Sequence, residues 1–139
     1  MKILVTGATG FIGKAVIKIL TDHKHETISI IRKTKNITHS AIKSSKTVST
    51  IGPNTEWANI LTNIDVVIHL AGRAHIMRES SNDPLTAYRQ INFLGTKRLA
   101  NAAGKSGVKK FVFISSVKAG DCHLSSTRRA NSQVALENN

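Results

Sequence analysis

Three glycines, Gly7, Gly10 and Gly13, stand within Thr6-Gly7-Ala8-Thr9-Gly10-Phe11-Ile12-Gly13, the spacing that folds a buried strand into a helix around a pyrophosphate. Gly7 permits the tight turn, Gly10 lets the backbone approach the phosphate, and Gly13 lets the helix pack closely on the strand. The free amides at the helix start then face the anion. Glycine-rich turns also close ordinary strand–helix corners, so context decides. Here the apolar run Ile3-Leu4-Val5 comes first, and Ile12, Ala15, Val16, Ile19 and Leu20 make one apolar face at helical spacing. About 20 residues beyond such glycines an acidic residue accepts the ribose hydroxyls, whereas a basic one suits a 2′-phosphate. This chain has Arg32-Lys33 there, with Lys35 close behind, which tilts the cofactor towards NADP over NAD. Further along, Ser115-Ser116 ends an apolar run, where a hydroxyl can reach a substrate lying on the nicotinamide; Ser-Ser is also a common strand terminator. Cys122-His123 invites a nucleophile or metal reading, but adjacent side chains project differently and no acidic partner is positioned, so a polar, irregular segment is the simpler account.

The elements that must position these residues follow from apolar patterning. A chain of 139 residues fits one domain. After the first helix, which frays around Asp22-His23-Lys24-His25, Thr27 to Ile31 reads as a second buried parallel strand. Thr34 to Ser45 is polar without periodicity, a loop or weak helix, and Lys46 to Ile51 alternates as a third strand that Gly52-Pro53 stops. Thr55 to Leu61 is a short helix with Trp57, Ile60 and Leu61 on one side, Trp57 being core. Asp65 to Gly72 is a fourth strand running into small residues, and a histidine inside such a strand, His69, is more often a satisfied core residue than a ligand. Asp83-Pro84 caps a helix that runs to about Ser106 before Gly107 ends it, with Leu85, Tyr88, Ile91, Gly95, Leu99 and Ala102 as its buried stripe. Lys110 to Ile114 is a fifth strand. The whole predicts an α/β fold, a Rossmann-type doubly wound parallel sheet truncated after about the fifth strand.

Composition narrows the partners. There are 20 Lys and Arg against 8 Asp and Glu, a net charge of +12, so an anionic partner has to be weighed. The basic residues are spread along both halves without interleaved aromatics, which argues for a solvated basic surface and a phosphate-bearing ligand, not nucleic acid. No stretch reads as a secretion signal or membrane span, and the single cysteine, Cys122, excludes an internal disulfide and a multi-cysteine metal site. The expected location is the cytoplasm.

Taken together, TGATGFIG, DVVIHLAG, the helix bearing Tyr88 to Thr96, and FVFISSVK resemble an extended short-chain dehydrogenase/reductase. More narrowly they are similar to the NAD-dependent epimerase/dehydratase family acting on nucleotide sugars, including enzymes of surface-polysaccharide pathways. The resemblance covers residues 1–118, an NAD(P)-binding domain, and leaves 119–139 as an irregular tail foreign to the fold. It implies that Gly7, Gly10 and Gly13 hold the pyrophosphate with Thr9, Phe11 and Ile12, that Arg32 sits by the adenosine ribose, and that Leu70, Ala71, Gly72 and Ser115 line the cofactor. Asn92 would support the geometry beside the cofactor, Ser116 would orient the sugar as a catalytic hydroxyl, and Arg73, Ala74 and His75 would border the substrate. The helix from Pro84 resembles one that pairs in homodimers.

The departures from the family pattern are equally specific. Ser49-Thr50 occupies the place of an acidic residue that holds the adenine amino group, and Gly72 stands where a second alanine is usual. Proton transfer to a sugar hydroxyl needs a group whose pKa is pulled towards neutrality. The family uses a tyrosine with a lysine four residues later on the same helix face. The only tyrosine here is Tyr88, and four residues on stands Asn92. These residues therefore lack the pair, which leaves two readings: the N-terminal part of a nucleotide-sugar enzyme, inactive as this short chain, or a non-catalytic dinucleotide-binding or sensor module.

Overall fold

The computed structural model describes residues 1–32, 42–73 and 83–115. Five parallel strands form one sheet: β1 (Lys2–Thr6), β2 (Glu26–Arg32), β3 (Ser45–Val48), β4 (Val66–His69) and β5 (Lys110–Phe113), in the order β3-β2-β1-β4-β5. The chain moves outward from β1 to β2 and β3, then returns to the other side of β1 for β4. β1 therefore pairs with both, Leu4 opposite Ile28 on one side and Val67 on the other. That reversal opens a crevice at the carboxyl ends of the strands, the usual ligand position in open α/β sheets.

Helices cover both faces. α1 (Phe11–Asp22) lies on one, over a cluster of Ile3, Val5, Ala8 and Ile17. α2 (Ala58–Leu61), α3 (Pro84–Tyr88), a π-helical stretch (Arg89–Gly95) and α4 (Thr96–Lys105) follow in sequence. The larger cluster joins Leu4, Ile28, Trp57, Leu61, Val67 and Leu99, with Trp57 buried as expected of a core residue. At the opposite, amino-terminal edge Asp65 ties the sheet together. Its carboxylate accepts the Lys2 amide at 2.8 Å and the Lys109 ammonium at 2.7 Å, and the Lys109 hydrogen bond foremost holds its pKa below the usual carboxylate value.

Four expectations need correction. The buried face of α1 is Gly13 and Ile17 with Val16 and Leu20 half-buried, whereas Ile12 and Ile19 are exposed. Gly13 is the cause. A Cβ there would overlap the Gly7 carbonyl oxygen and lie 2.7 Å from the Ala8 Cα, so the helix is rolled to bring this bare backbone onto the turn. β3 ends at Val48, three residues before Ile51, and α2 begins only at Ala58. The long helix is not uniformly α-helical: seven residues widen into π geometry, and its stripe buries Gly95, Leu99 and Ala103 while leaving Leu85 exposed. Gly95 shows why the helix sits as it does. Its missing Cβ leaves room for Ile51 and Gly52, whose backbone atoms would lie 3.2 Å away. The Asp83 cap and the Gly107 stop stand as expected, with the Asp83 carboxylate accepting the Thr86 amide at 3.0 Å and Gly107 at φ +74°.

Candidate functional site

The Gly7 turn forms the corner of the crevice. Gly7 adopts φ +71°, a conformation that favours glycine, and its carbonyl accepts the Gly10 amide at 2.9 Å. A Cβ on Gly7 would lie 2.8 Å from both the Ala71 nitrogen and the Leu70 carbonyl carbon, so the turn rests directly against the peptide that leaves β4. Gly10 is the N-cap of α1 and has no side chain to satisfy the first-turn amides. Those amides remain available to an external acceptor.

Around this corner lies a cleft of about 320 Å³. Gly7, Thr9 and Gly10 line it from the turn, Arg32 from the end of β2, and Leu70, Ala71, Gly72 and Arg73 from the segment after β4. Its remaining wall is largely aliphatic: Ile30, Ile31, Val48, Ile51 and Ile91. Thr50 lines it where the family pattern calls for an acidic residue. Among the described residues the lining holds two arginines and no carboxylate, a donor set suited to an anion with an apolar or aromatic body.

Other sequence-derived candidates lie outside the lining. Gly13 sits beneath the turn, and Phe11 and Ile12 expose their side chains at the start of α1. Ser115 is exposed just past β5. Asn92 stands behind the cleft wall and grips the Arg73 backbone twice: its Oδ1 accepts the Arg73 amide at 2.7 Å and its Nδ2 donates to the Arg73 carbonyl at 2.9 Å. The Arg73 guanidinium lies over the Tyr88 ring, 5.3 Å from its centroid. A Cβ on Gly72 would meet Asn92 Oδ1 at 3.4 Å, ordinary contact, so the family's alanine would fit here. Ser116, Lys33, Lys35, Ala74, His75, Cys122, His123 and the 119–139 tail lie outside the described residues.

His69 is a core residue, as its setting in an apolar strand predicts. It is fully buried, with Nδ1 2.6 Å from Thr6 Oγ1 and Nε2 2.9 Å from Thr96 Oγ1, and Phe111 and Phe113 flank its ring. Burial pushes its pKa down to about 4, so the imidazole is neutral near pH 7. Sequence reasoning missed Thr6 and Thr96, because a threonine in a strand or helix carries no distinguishing signal until its partner is known. It also missed the aliphatic wall, which is encoded only in where β2 and β3 end. Among the described residues no cluster of three or more His, Cys, Asp or Glu gathers to hold a metal, and no helix is long and apolar enough to cross a membrane.

Known proteins share this arrangement. A model of the NAD dependent epimerase/dehydratase family matches residues 3–132. A UDP-glucose 4-epimerase of Vibrio cholerae is 41% identical over 117 residues, 84% of this chain and 35% of that protein. The solved structure of MoeE5 in complex with UDP-glucuronic acid and NAD is 28% identical with a TM-score of 0.66, over 84% of this chain and 37% of that one. A short-chain dehydrogenase/reductase superfamily protein from Agrobacterium tumefaciens with bound NAD is 26% identical with a TM-score of 0.63, over 84% and 33%. The chain thus spans between 35% and 39% of the length of the first three curated relatives it matches.

Proposed function

The chain belongs to the NAD dependent epimerase/dehydratase family, and from that premise we propose that its 139 residues form the NAD(P)-binding part of a cytoplasmic nucleotide-sugar epimerase, dehydratase or reductase of surface-polysaccharide type. One observation carries the proposal: the cleft at the strand-order reversal, with the Gly7 turn at its corner and two arginines and no carboxylate among its described lining residues. The residues fit a dinucleotide. The cradle exists only because Gly7 and Gly13 lack a Cβ, and two arginines face the space.

In this reading the first-turn amides of α1 hold the pyrophosphate, Arg32 meets the adenosine ribose, and Leu70 to Gly72 border the nicotinamide side. Asn92 fixes the Arg73 backbone at the edge that would face the substrate. Ser115 follows β5 at the same edge and would line the cofactor, and Ser116, the next residue in sequence, would orient a sugar hydroxyl. The dinucleotide, when bound, supplies hydride acceptance and return. Arg32 supports NADP, and the MoeE5 and Agrobacterium neighbours were solved with NAD. A homodimer through the Pro84 helix belongs to the same proposal, supported by Leu85 and Phe93, which expose 60% and 61% of their surface there.

Proton transfer is a separate matter. Tyr88 stacks under Arg73 and has Asn92 four residues on, so no lysine shares its helix face at that spacing. We therefore expect these 139 residues to bind NAD(P) without turning over a nucleotide sugar, and the same observation keeps a non-catalytic binding or sensor module as the second reading. Calorimetric titration with NADP, NAD and UDP-glucose tests this, alongside a turnover assay. Saturable dinucleotide binding with no turnover is expected; a flat titration with both dinucleotides at millimolar concentration refutes the binding role, and measured epimerisation, dehydration or reduction refutes the inactivity.

A further inference from the structure

A chain of three hydrogen bonds joins the lip of the cleft to α4 through the buried His69. The Ala71 amide donates to Thr6 Oγ1 at 3.2 Å, Thr6 Oγ1 lies 2.6 Å from His69 Nδ1, and His69 Nε2 lies 2.9 Å from Thr96 Oγ1. A hydroxyl has one proton and two lone pairs, and a neutral imidazole has one donor and one acceptor. With Thr6 already accepting from Ala71, its own proton finds a partner if Nδ1 accepts it. Nε2 then carries the imidazole proton and donates to Thr96. Every bond in the chain runs the same way, from Ala71 through Thr6 and His69 to Thr96, an arrangement in which each bond polarises the next. The opposite tautomer would turn a second donor on the Thr6 oxygen and leave the hydroxyl proton without this acceptor.

The amide at the head of the chain belongs to the peptide on which the Gly7 turn rests, with Leu70 and Ala71 backbone atoms where a Gly7 Cβ would go. We propose that His69 is a positioning residue for the dinucleotide site, its Nδ1 orienting the Thr6 hydroxyl so that Thr6 holds the Leu70–Ala71 peptide against the Gly7 turn. The inference rests on the dinucleotide reading above and extends it to a residue that touches no ligand. His69 lines no part of the cleft, and it acts through Thr6. Its neutrality near pH 7, a consequence of burial, keeps Nδ1 available as an acceptor.

The full chain provides the test. Nitrogen-15 NMR of the wild-type imidazole near pH 7 is expected to show a neutral ring protonated at Nε2; a ring protonated at Nδ1 overturns the proposal and needs no cofactor to do so. Phenylalanine keeps the ring volume and removes both nitrogens, so His69→Phe is expected to raise the dissociation constant for NAD or NADP about tenfold and to speed Ala71 amide exchange about as much. Asparagine places an acceptor where Nδ1 was, glutamine where Nε2 was. His69→Asn should therefore return affinity to within about threefold of wild type and His69→Gln should not. Should the phenylalanine variant fail to fold, Thr6→Val and Thr6→Ser ask the same question, with loss expected in the first and recovery in the second. Melting temperature is read in parallel: variants that lower it while binding as tightly as wild type give His69 a structural role only and overturn the proposal. A wild-type chain that binds neither dinucleotide overturns the underlying reading and this one with it, an outcome distinct from wild-type binding with an unaffected phenylalanine variant.

Discussion

Burying a neutral histidine makes folding depend on pH, and the size of that dependence follows from the structure. In the unfolded chain His69 takes a proton near its ordinary value of 6.5, whereas in the fold it does so only near 4. Between those values the unfolded state binds more protons than the folded one, so stability falls as pH falls through the window and is fully present above it. From about pH 7.5 to about pH 5.5 the loss attributable to this one ring is about 1.4 kcal/mol, growing to about 3 kcal/mol near pH 4. For 139 residues the first step lowers the melting temperature by about 5 °C. Asp65 and Asp83 do not interfere between about pH 7.5 and about pH 5.5: Lys109 and Thr86 respectively hold their folded pKa values below the usual 3.8, so both are charged in the folded and unfolded chain over that step. The assay is urea unfolding of wild type and His69→Asn at both pH values. Comparing the two proteins cancels the contributions of the other histidines. The stability gap between them is expected to shift by about 1.4 kcal/mol in favour of the asparagine variant on acidification. A gap that stays constant to within about 0.3 kcal/mol refutes the argument that the buried ring excludes the proton.

Three further perturbations separate close packing, backbone support and cofactor choice. Gly13→Ala would force a Cβ into the Gly7 carbonyl and is expected to cost about 3 kcal/mol by thermal unfolding and to abolish dinucleotide binding, whereas Gly107→Ala, at φ +74° with open space around it, should cost only about 1 kcal/mol and leave binding alone. Asn92→Ala removes both bonds to the Arg73 backbone, about 2 kcal/mol of support by denaturant titration, and should weaken dinucleotide affinity more than it lowers the melting temperature; unchanged affinity would mean the segment after β4 holds its own shape. Arg32→Asp is expected to weaken NADP about tenfold or more relative to NAD in a competition titration, and an unchanged ratio would remove Arg32 from the ribose site.

Much of this arrangement is legible in the chain because several local signals agree. The Gly7 spacing, the apolar runs that become β1, β2 and β5, and the Asp83-Pro84 cap each specify local geometry and stand in the structure where the sequence places them, whereas β4 ends at His69, three residues before the Gly72 expected to close it. Contacts between segments were harder to read. Hydrophobicity favours Ile12 and Ile19 for the buried face of α1, while the deciding residue, Gly13, has no side chain to register in a pattern. The π stretch was invisible for a related reason. Its local sequence reads as ordinary helix, and the geometry becomes explicable only once Asn92, Gly95 and Thr96 meet Arg73, Ile51 and His69 across the fold. His69 shows the boundary clearly: its apolar strand predicts burial, but nothing local names Thr6 and Thr96 as its partners.

Those unseen contacts converge on one short segment. Leu70 and Ala71 are approached by the bare Gly7 backbone, the Ala71 amide is held by Thr6, and two residues on Asn92 closes both bonds to Arg73. Gly7, Ala71 and Asn92 lie far apart in the chain, yet all three act on the same strand end. A glycine turn alone makes a strand–helix corner. It becomes one wall of a cleft only when the neighbouring parallel strand ends in residues small enough to lie against it and is fixed there from behind. In the proposed reading the supports of the cleft come from β1, β4 and the Pro84 helix, and none of them requires a tyrosine–lysine pair. Substitutions at these supports should therefore be read in dinucleotide affinity and not in turnover.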